Sequence, residues 1–275
     1  MAIVHYLSPA KTLSFSIGAE LERSMTATEP RLLARSAHML PALQELDVGA
    51  LQKLMAISPA LAKLNHERFQ ALGLPLQEDD PSCRRAVFCF DGDAYGGLDA
   101  ASLSKHELGR LSLGCRILSG YYGLLRPADL IRGHRLEMGR RPKGIAAASL
   151  YAFWGADIAN QLARDADDVG AEEFLSLASE EYDRAATPQL AAIDSRPAHS
   201  TRFESATPAG RKVISFEAKR ARGLFARHLA MGSHETIESA CETFFSEGWA
   251  LDKKEPAGNP GSASKWIFLK ASRKA

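Results

Sequence analysis

Asp91 and Asp93 flank Gly92 in the segment FDGDAYGG (90–97), and residues two apart on an extended chain project to the same side. Such a pair can share a proton, hold Mg²⁺ through water or fix an arginine, although an Asp-Gly turn accounts for the same residues structurally. Lys11 follows a strand-like run in SPAKT (8–12). That segment lacks the glycine spacing of a P-loop and gives no support to nucleoside-triphosphate hydrolysis. In ILSGYYGLLRP (117–127), Gly120 and Gly123 suit a tight turn feeding a helix, and the free amides of such a turn can bind phosphate oxygens. The pattern resembles the hairpin of helix-hairpin-helix DNA-binding elements. Tyr151, Phe153 and Trp154 (LYAFWG) could stack a base or simply fill a core.

Other chemistries find no support. The eight histidines show no i,i+4 pair, and Cys83, Cys89, Cys115 and Cys241 make neither a CxxC motif nor a Cys/His ligand spacing. No metal site and no cofactor is expected, and the thiols are expected to be free and mostly buried, in a reducing cytoplasm. GxSxG, HExxH and GxGxxG are absent.

Over 275 residues, 34 Lys and Arg stand against 33 Asp and Glu, a net charge of +1 that excludes a uniformly basic nucleic-acid coat. The distribution is uneven. Residues 126–143 hold Arg126, Arg132, Arg135, Arg140, Arg141 and Lys143 against Asp129 and Glu137, residues 211–227 hold six basic side chains against Glu217, and acid gathers at 165–183. Either these are solvated helix faces or they build a local positive cleft in a neutral protein.

The candidate residues fall where strands and turns meet. Residues 3–7 read as a strand closed by Ser8-Pro9, and 86–90 (AVFCF) as a buried strand ending at the Asp91–Asp93 turn. Residues 30–55 read as two helices broken at Pro41 and Asp47, and Ser58-Pro59 as the cap and first residue of a helix running to Gly73. A strand at 174–178 leads to Ser179, placed to cap a short helix. Residues 201–205 and 212–216 read as a hairpin followed by a helix over 217–230, with Ser233 capping one more helix and 265–270 a closing strand. The Pro-, Gly- and Ser-rich stretch 253–264 is expected to be a mobile loop. No signal peptide is expected at the N-terminus, and 144–156 is too short to span a bilayer. This interleaving predicts an α/β (mixed α+β) single domain with a mixed sheet flanked by helices.

Taken in order, LSPAKTL (7–13), FDGDAYGGL (90–98), ILSGYYGLLRPADLI (117–131), HRLEMG (134–139), LYAFWG (150–155), LASEEY (177–182) and ISFEAKRARGLFARHL (214–229) resemble the YaaA peroxide-stress proteins of bacteria. The resemblance implies a compact single domain with a positively charged cleft and a helix-hairpin-helix-like element. It also implies affinity for DNA, mainly its phosphate backbone, and a role in limiting free-iron-driven peroxide damage. Phosphate contacts would fall to Ser8, Lys11, Thr12, Gly120, Gly123, Arg126, Arg135, Lys219 and Arg222, and base stacking to Tyr151 and Trp154. Tyr95, Ser179, Glu180 and Tyr182 lie in the same matching segments. The alternative is an enzyme acting on a nucleotide-like or other phosphorylated small molecule, with Asp91, Asp93 and Glu137 as acid or base. Departures from the family pattern stand at His134 and Trp249, where the resemblance leads one to expect tyrosine, and at residues 244–247. On either reading Ser8, Lys11, Asp91, Asp93, Arg126, Arg135, Glu137 and Lys219 are expected to converge on one concave site.

Overall fold

The computed structural model describes residues 3–16, 20–257 and 263–271. The first apolar run forms β1 (Val4–Leu7), buried along its whole length, and the turn after it leads to a two-residue strand, β2 (Thr12–Leu13). Five helices follow: α1 (Glu20–Arg23), α2 (Leu33–Ala37), α3 (Leu40–Gln44), α4 (Val48–Met55) and α5 (Pro59–Ala71). Residues 30–55 thus hold three helices instead of two. Pro41 sits in the first turn of α3, where a missing N–H costs nothing, and Asp47 caps α4 by accepting the Ala50 amide at 2.7 Å. Ser58 caps α5 as its sequence implies.

Next come β3 (Cys83–Arg85), α6 (Ala86–Cys89), β4 (Phe90–Asp91) and α7 (Asp93–Leu98). The run 86–90, expected as a strand, is mostly a helical turn. Its first amides bond to the Asp129 and Pro127 carbonyls, and a short apolar run does not by itself distinguish a buried strand from a buried helix. A 3-10 turn (Ala100–Ser102) and α8 (Lys105–Gly114) lead to β5 (Cys115–Ser119), β6 (Gly123–Leu125) and β7 (Leu130–Arg132). The Gly120–Gly123 turn therefore joins two antiparallel strands and feeds no helix. Leu118 pairs with Leu124, Ser119 Oγ accepts the Tyr122 amide at 3.0 Å, and Gly123 takes a φ of 71°. A helix pair joined by a short turn is found instead in α4 and α5, linked by residues 56–58.

The rest of the chain forms α9 (Leu150–Trp154), α10 (Asp157–Val169), β8 (Phe174–Leu177), α11 (Glu180–Asp183), α12 (Thr187–Ile193), β9 (Ala198–Thr207), β10 (Gly210–Lys212), α13 (Ser215–Met231), α14 (Ile237–Thr243), β11 (Trp249–Glu255) and β12 (Ser264–Lys270). The β9–β10 hairpin pairs Ser205 with Lys212, but its second strand stops there and Phe216 belongs to α13. Thr236, not Ser233, caps α14, in a reciprocal pair with Ser239. The stretch 253–264 is strand at both ends, and residues 258–262 lie outside the described residues.

An eight-stranded mixed sheet runs β11-β12-β9-β8-β1-β5-β6, with β10 paired to β9. Its five inner strands are parallel and its margins antiparallel. β12 lies inside the sheet, between β9 and β11. Helices flank this mixed α/β sheet, all four cysteines are free and buried, and no described helix is long and apolar enough to cross a membrane.

One contact has no room for a side chain. Where α7 crosses α13, a Cβ on Gly223 would lie 1.7 Å from the Ala94 carbonyl oxygen, and one on Gly97 2.3 Å from that of Arg220. Gly223→Ala must push two backbones apart and is expected to lower the unfolding free energy by about 3 kcal/mol or more. Gly109→Ala at an exposed position of α8, whose Cβ would meet nothing within 4 Å, is expected to raise it by up to about 1 kcal/mol. Urea denaturation of both variants checks this, and equal effects would remove the tight crossing from the account.

Candidate functional site

β5, β1 and β8 are neighbouring parallel strands whose carboxyl ends reach one edge, at Ser119-Gly120, Leu7-Ser8 and Leu177. From β1 the sheet extends to β5 on one side and to β8 on the other, and such a reversal beside strand ends is where open parallel sheets leave a crevice. A cavity of about 500 Å³ opens there. Its wall takes in the turn after β1, the start of α7, the segment 134–137, the start of α11, and Lys219 and Arg222 from α13.

Short polar links fix these pieces. Ser8 Oγ accepts the Ser179 amide at 2.8 Å and donates to Ser179 Oγ at 3.1 Å. Ser179 stands at the cap position of α11, but its hydroxyl makes no cap bond and ties β8 to β1 instead. The Tyr95 hydroxyl donates to the Ser8 carbonyl at 3.0 Å. A Cβ on Gly120 would lie 2.1 Å from the Leu136 carbonyl oxygen, so glycine lets the β5–β6 turn lie against the 134–137 segment. His134 braces the same place. Its Nδ1 lies 2.9 Å from the Arg132 carbonyl and must donate, which leaves Nε2 to accept from Ser119 Oγ at 3.2 Å. Burial lowers the His134 imidazole to about 4, against the opposing effect of that backbone bond.

Glu137, buried in the wall, is surrounded by cations. Arg135 donates to Oε1 at 2.9 and 3.2 Å, Lys11 Nζ lies 3.9 Å away, and Arg140 Nε lies 3.6 Å from Oε2. Three cations on one carboxylate make Glu137 a counter-ion that positions the rim. Asp91 and Asp93 both line the cavity and are exposed, but they do not share an extended chain: one ends β4 and the other begins α7. Neither enters an ion pair among the described residues.

Arg222 differs from the other cations. Its Nε is buried without a hydrogen-bond partner, and among the described residues no carboxylate comes within ion-pairing distance. Desolvation lowers the guanidinium from its ordinary value, opposed by the charge of Asp183. Asp183 is held by a chain in which Tyr6 donates to Thr187 and Thr187 to the carboxylate; burial raises its carboxyl against the pull of Ser176, Thr187 and Arg222. Neither this network nor the Ser119–His134 link was visible in the sequence, because each joins residues from different elements. The Asp183/Thr187 spacing of four was the one local signal.

The cavity gathers Ser8, Lys11, Thr12, Asp91, Asp93, Gly120, Arg135, Glu137, Ser179, Glu180, Tyr182, Lys219 and Arg222. It does not gather the rest. Arg126 folds back onto Asp129, Nε to Oδ1 at 3.0 Å, and onto the Glu29 carbonyl at 2.8 Å, beside a separate depression. Gly123 is covered by the Trp154 ring, 2.8 Å from where its Cβ would be. Trp154 is itself 1% exposed and donates to the Gly120 carbonyl at 3.1 Å, so it has no open face for a base. Tyr151 donates to the Glu181 carbonyl at 2.9 Å, with Arg184 over its ring. Of the departures from the family pattern, His134 is in the wall, whereas Trp249 packs on Phe203 in the core, ring centroids 5.4 Å apart. Five carboxylates, those of Asp91, Asp93, Glu137, Glu180 and Glu181, face Lys11, Arg135, Lys219 and Arg222, so the wall is not uniformly positive. No group of three or more His, Cys, Asp or Glu among the described residues is arranged to hold a metal ion.

The profile of a protein family described as "Peroxide stress protein YaaA" matches residues 1–255. A UPF0246 protein of Hahella chejuensis is 36% identical over 264 residues, 96% of this chain and 98% of the relative. Another, from Cupriavidus pinatubonensis, is 40% identical over 268 residues, 95% and 96% of the two chains. A third, from Idiomarina loihiensis, is 35% identical over 268 residues, 98% of each.

The buried imidazoles set an acid limit on stability. His134 and His5 are each lowered by desolvation from the usual 6.5 to about 4. Between those values the unfolded chain binds protons that the folded chain does not, so stability falls as pH drops from about 6.5 to about 4, by up to about 3 kcal/mol per imidazole. Asp129 and Asp183, whose carboxyls are raised by burial, act in the opposite sense. Comparison with His134→Gln isolates the histidine: its loss of stability from pH 7 to 4.5 is expected to be shallower by about one proton's linkage. Urea titrations across that range measure it, and parallel pH profiles would refute the assignment.

Proposed function

This chain belongs to the YaaA family of peroxide stress proteins, and on that premise we propose that it serves the peroxide response by binding a small phosphorylated, nucleotide-like molecule in this cavity. The observation that carries the reading is Arg222, whose Nε is buried at the cavity without a partner. A buried donor without a partner is costly, and a phosphate held by this half-buried guanidinium would offset that cost. Lys219, three residues earlier on α13, stands on the same helix face to share the anion. The volume suits a metabolite. Exposed Asp91, Asp93 and Glu180 would accept from the hydroxyl and amino groups of such a molecule. If the molecule is converted, Asp91 and Asp93 are the groups available for proton transfer, whereas Glu137 is already engaged by three cations.

The second reading is contact with the DNA phosphate backbone, favoured by Lys11, which is 63% exposed at the rim, and by exposed Lys219. On that reading the phosphate contacts are fewer than a uniformly basic groove would give. Limiting free-iron-driven damage is the physiological end that the family implies for either reading.

Arg222→Gln is expected to weaken binding of AMP or ADP by about 100-fold, and Lys219→Ala by about fivefold, with Arg126→Ala unchanged. Calorimetric titration measures this. If a metabolite screen by mass spectrometry finds a converted compound, Asp93→Asn should abolish its turnover while leaving its affinity nearly intact. Binding of nucleotides that ignores Arg222 would sink the small-molecule reading.

For DNA, Lys11→Ala and Lys219→Ala should each lower the slope of log affinity against log salt by about 0.9, and Arg126→Ala should not. Fluorescence anisotropy across a salt series checks it. Affinity that is flat in salt would remove DNA from the account.

A further inference from the structure

The opposite end of β1 opens on a second cavity, of about 540 Å³. Three helices end at it: Leu113 and Gly114 close α8, Asp168 and Val169 close α10, and Gly232 follows the last turn of α13. A helix C-terminus carries partial negative charge. Arg110, the one lining arginine, is consumed there, donating to the Ala230 and Met231 carbonyls at 2.6 and 2.5 Å. His5, 2% exposed, lines the same cavity. Its Nδ1 lies 3.0 Å from the Ile3 carbonyl and must donate, which fixes Nε2 as an acceptor, and that atom is buried with no partner. Asp168, whose Oδ2 accepts from Arg31 at 3.1 Å, and exposed Glu235 add two carboxylates. His234 Nε2 donates to the His228 carbonyl at 3.3 Å, which leaves its other nitrogen as a further acceptor. Ile3, Leu113, Val169 and Leu229 supply aliphatic wall.

A lining rich in acceptors and poor in free donors, with apolar walls between carboxylates, matches a molecule that is all donors at its ends and methylene between them. We propose that this cavity is a binding site for a small aliphatic diamine or polyamine, with one ammonium at the His5 end and another toward the Asp168 and Glu235 carboxylates. The site is independent of the strand-end cavity.

Calorimetric titration of the full chain with 1,4-diaminobutane and spermidine at pH 7.5 tests it. Saturable one-to-one binding is expected. Asp168→Asn and Glu235→Gln should each weaken it by about fivefold and His5→Phe by about tenfold, for about 1 to 1.4 kcal/mol apiece. Lys219→Ala and Arg222→Gln should leave amine binding unchanged, which separates this site from the other cavity. No saturable heat at millimolar amine, as when a water merely satisfies Nε2, overturns the proposal. Amine binding indifferent to His5→Phe and Glu235→Gln alike overturns it as well, as diffuse attraction to acidic surface. If His5→Phe does not fold, the two exposed carboxylate variants decide the matter by the same criterion.

Discussion

Backbone meets backbone where α7 crosses α13, and the strand-end cavity depends on that approach. Gly97 and Gly223 remove the two side chains that would keep the helices apart. The start of α7, with Asp93, is thereby drawn into the same wall as Lys219 and Arg222 of α13. Any Cβ at the crossing would separate these carboxylate and cation sources by the width of a methyl group. In an interior packed like a crystal, such a displacement is not absorbed locally. Gly120 repeats the device on the other side, letting the β5–β6 turn rest on the Leu136 carbonyl and bringing the segment that holds Arg135 and Glu137 to the sheet edge.

Within that frame the charges divide by how they are partnered. Glu137 collects three cations and organises the rim, while Arg222 is left with a buried nitrogen and only the remote charge of Asp183. Glu137 is charge-paired without a ligand, although its buried Oε2 accepts no hydrogen bond, whereas no carboxylate pairs with Arg222 among the described residues. For that reason the anion-binding reading rests on Arg222 and not on the number of basic residues nearby. Arg126 makes the same point from the other direction: it is basic and in a family motif, yet a buried aspartate three residues away takes its guanidinium.

The two ends of the parallel sheet differ in kind. At the carboxyl ends of β1, β5 and β8, loops and helix starts bring cations to a cavity with an unpartnered donor. At the other end of β1, three helix C-termini and the unpartnered His5 imidazole nitrogen face a cavity whose arginine is already spent on carbonyls. Parallel βα connections impose this asymmetry, since helices that follow strands present their starts at one edge and their ends at the other.

Local rules were readable in the sequence and held where a neighbour in the chain supplies the partner. The run closed by Ser8-Pro9 is β1, Ser58 caps α5 before Pro59, and the heptadecapeptide from Ser215 is one helix, because strand runs, caps and helical periods are short-range. The family segments likewise marked most of the residues that line the cavity. What sequence alone left undecided is which partner each polar group meets. Residues 86–89 became helical because the Asp129 and Pro127 carbonyls lie beside them, Gly120–Gly123 closed a strand hairpin instead of opening a helix, and Trp154 was spent on covering that hairpin. The pairing of Arg126 with Asp129, the three cations on Glu137 and the bare nitrogens of Arg222 and His5 were settled only by the fold. Hydrogen bonds and ion pairs act over a few ångströms of space, and linear sequence does not measure that distance between segments a hundred residues apart.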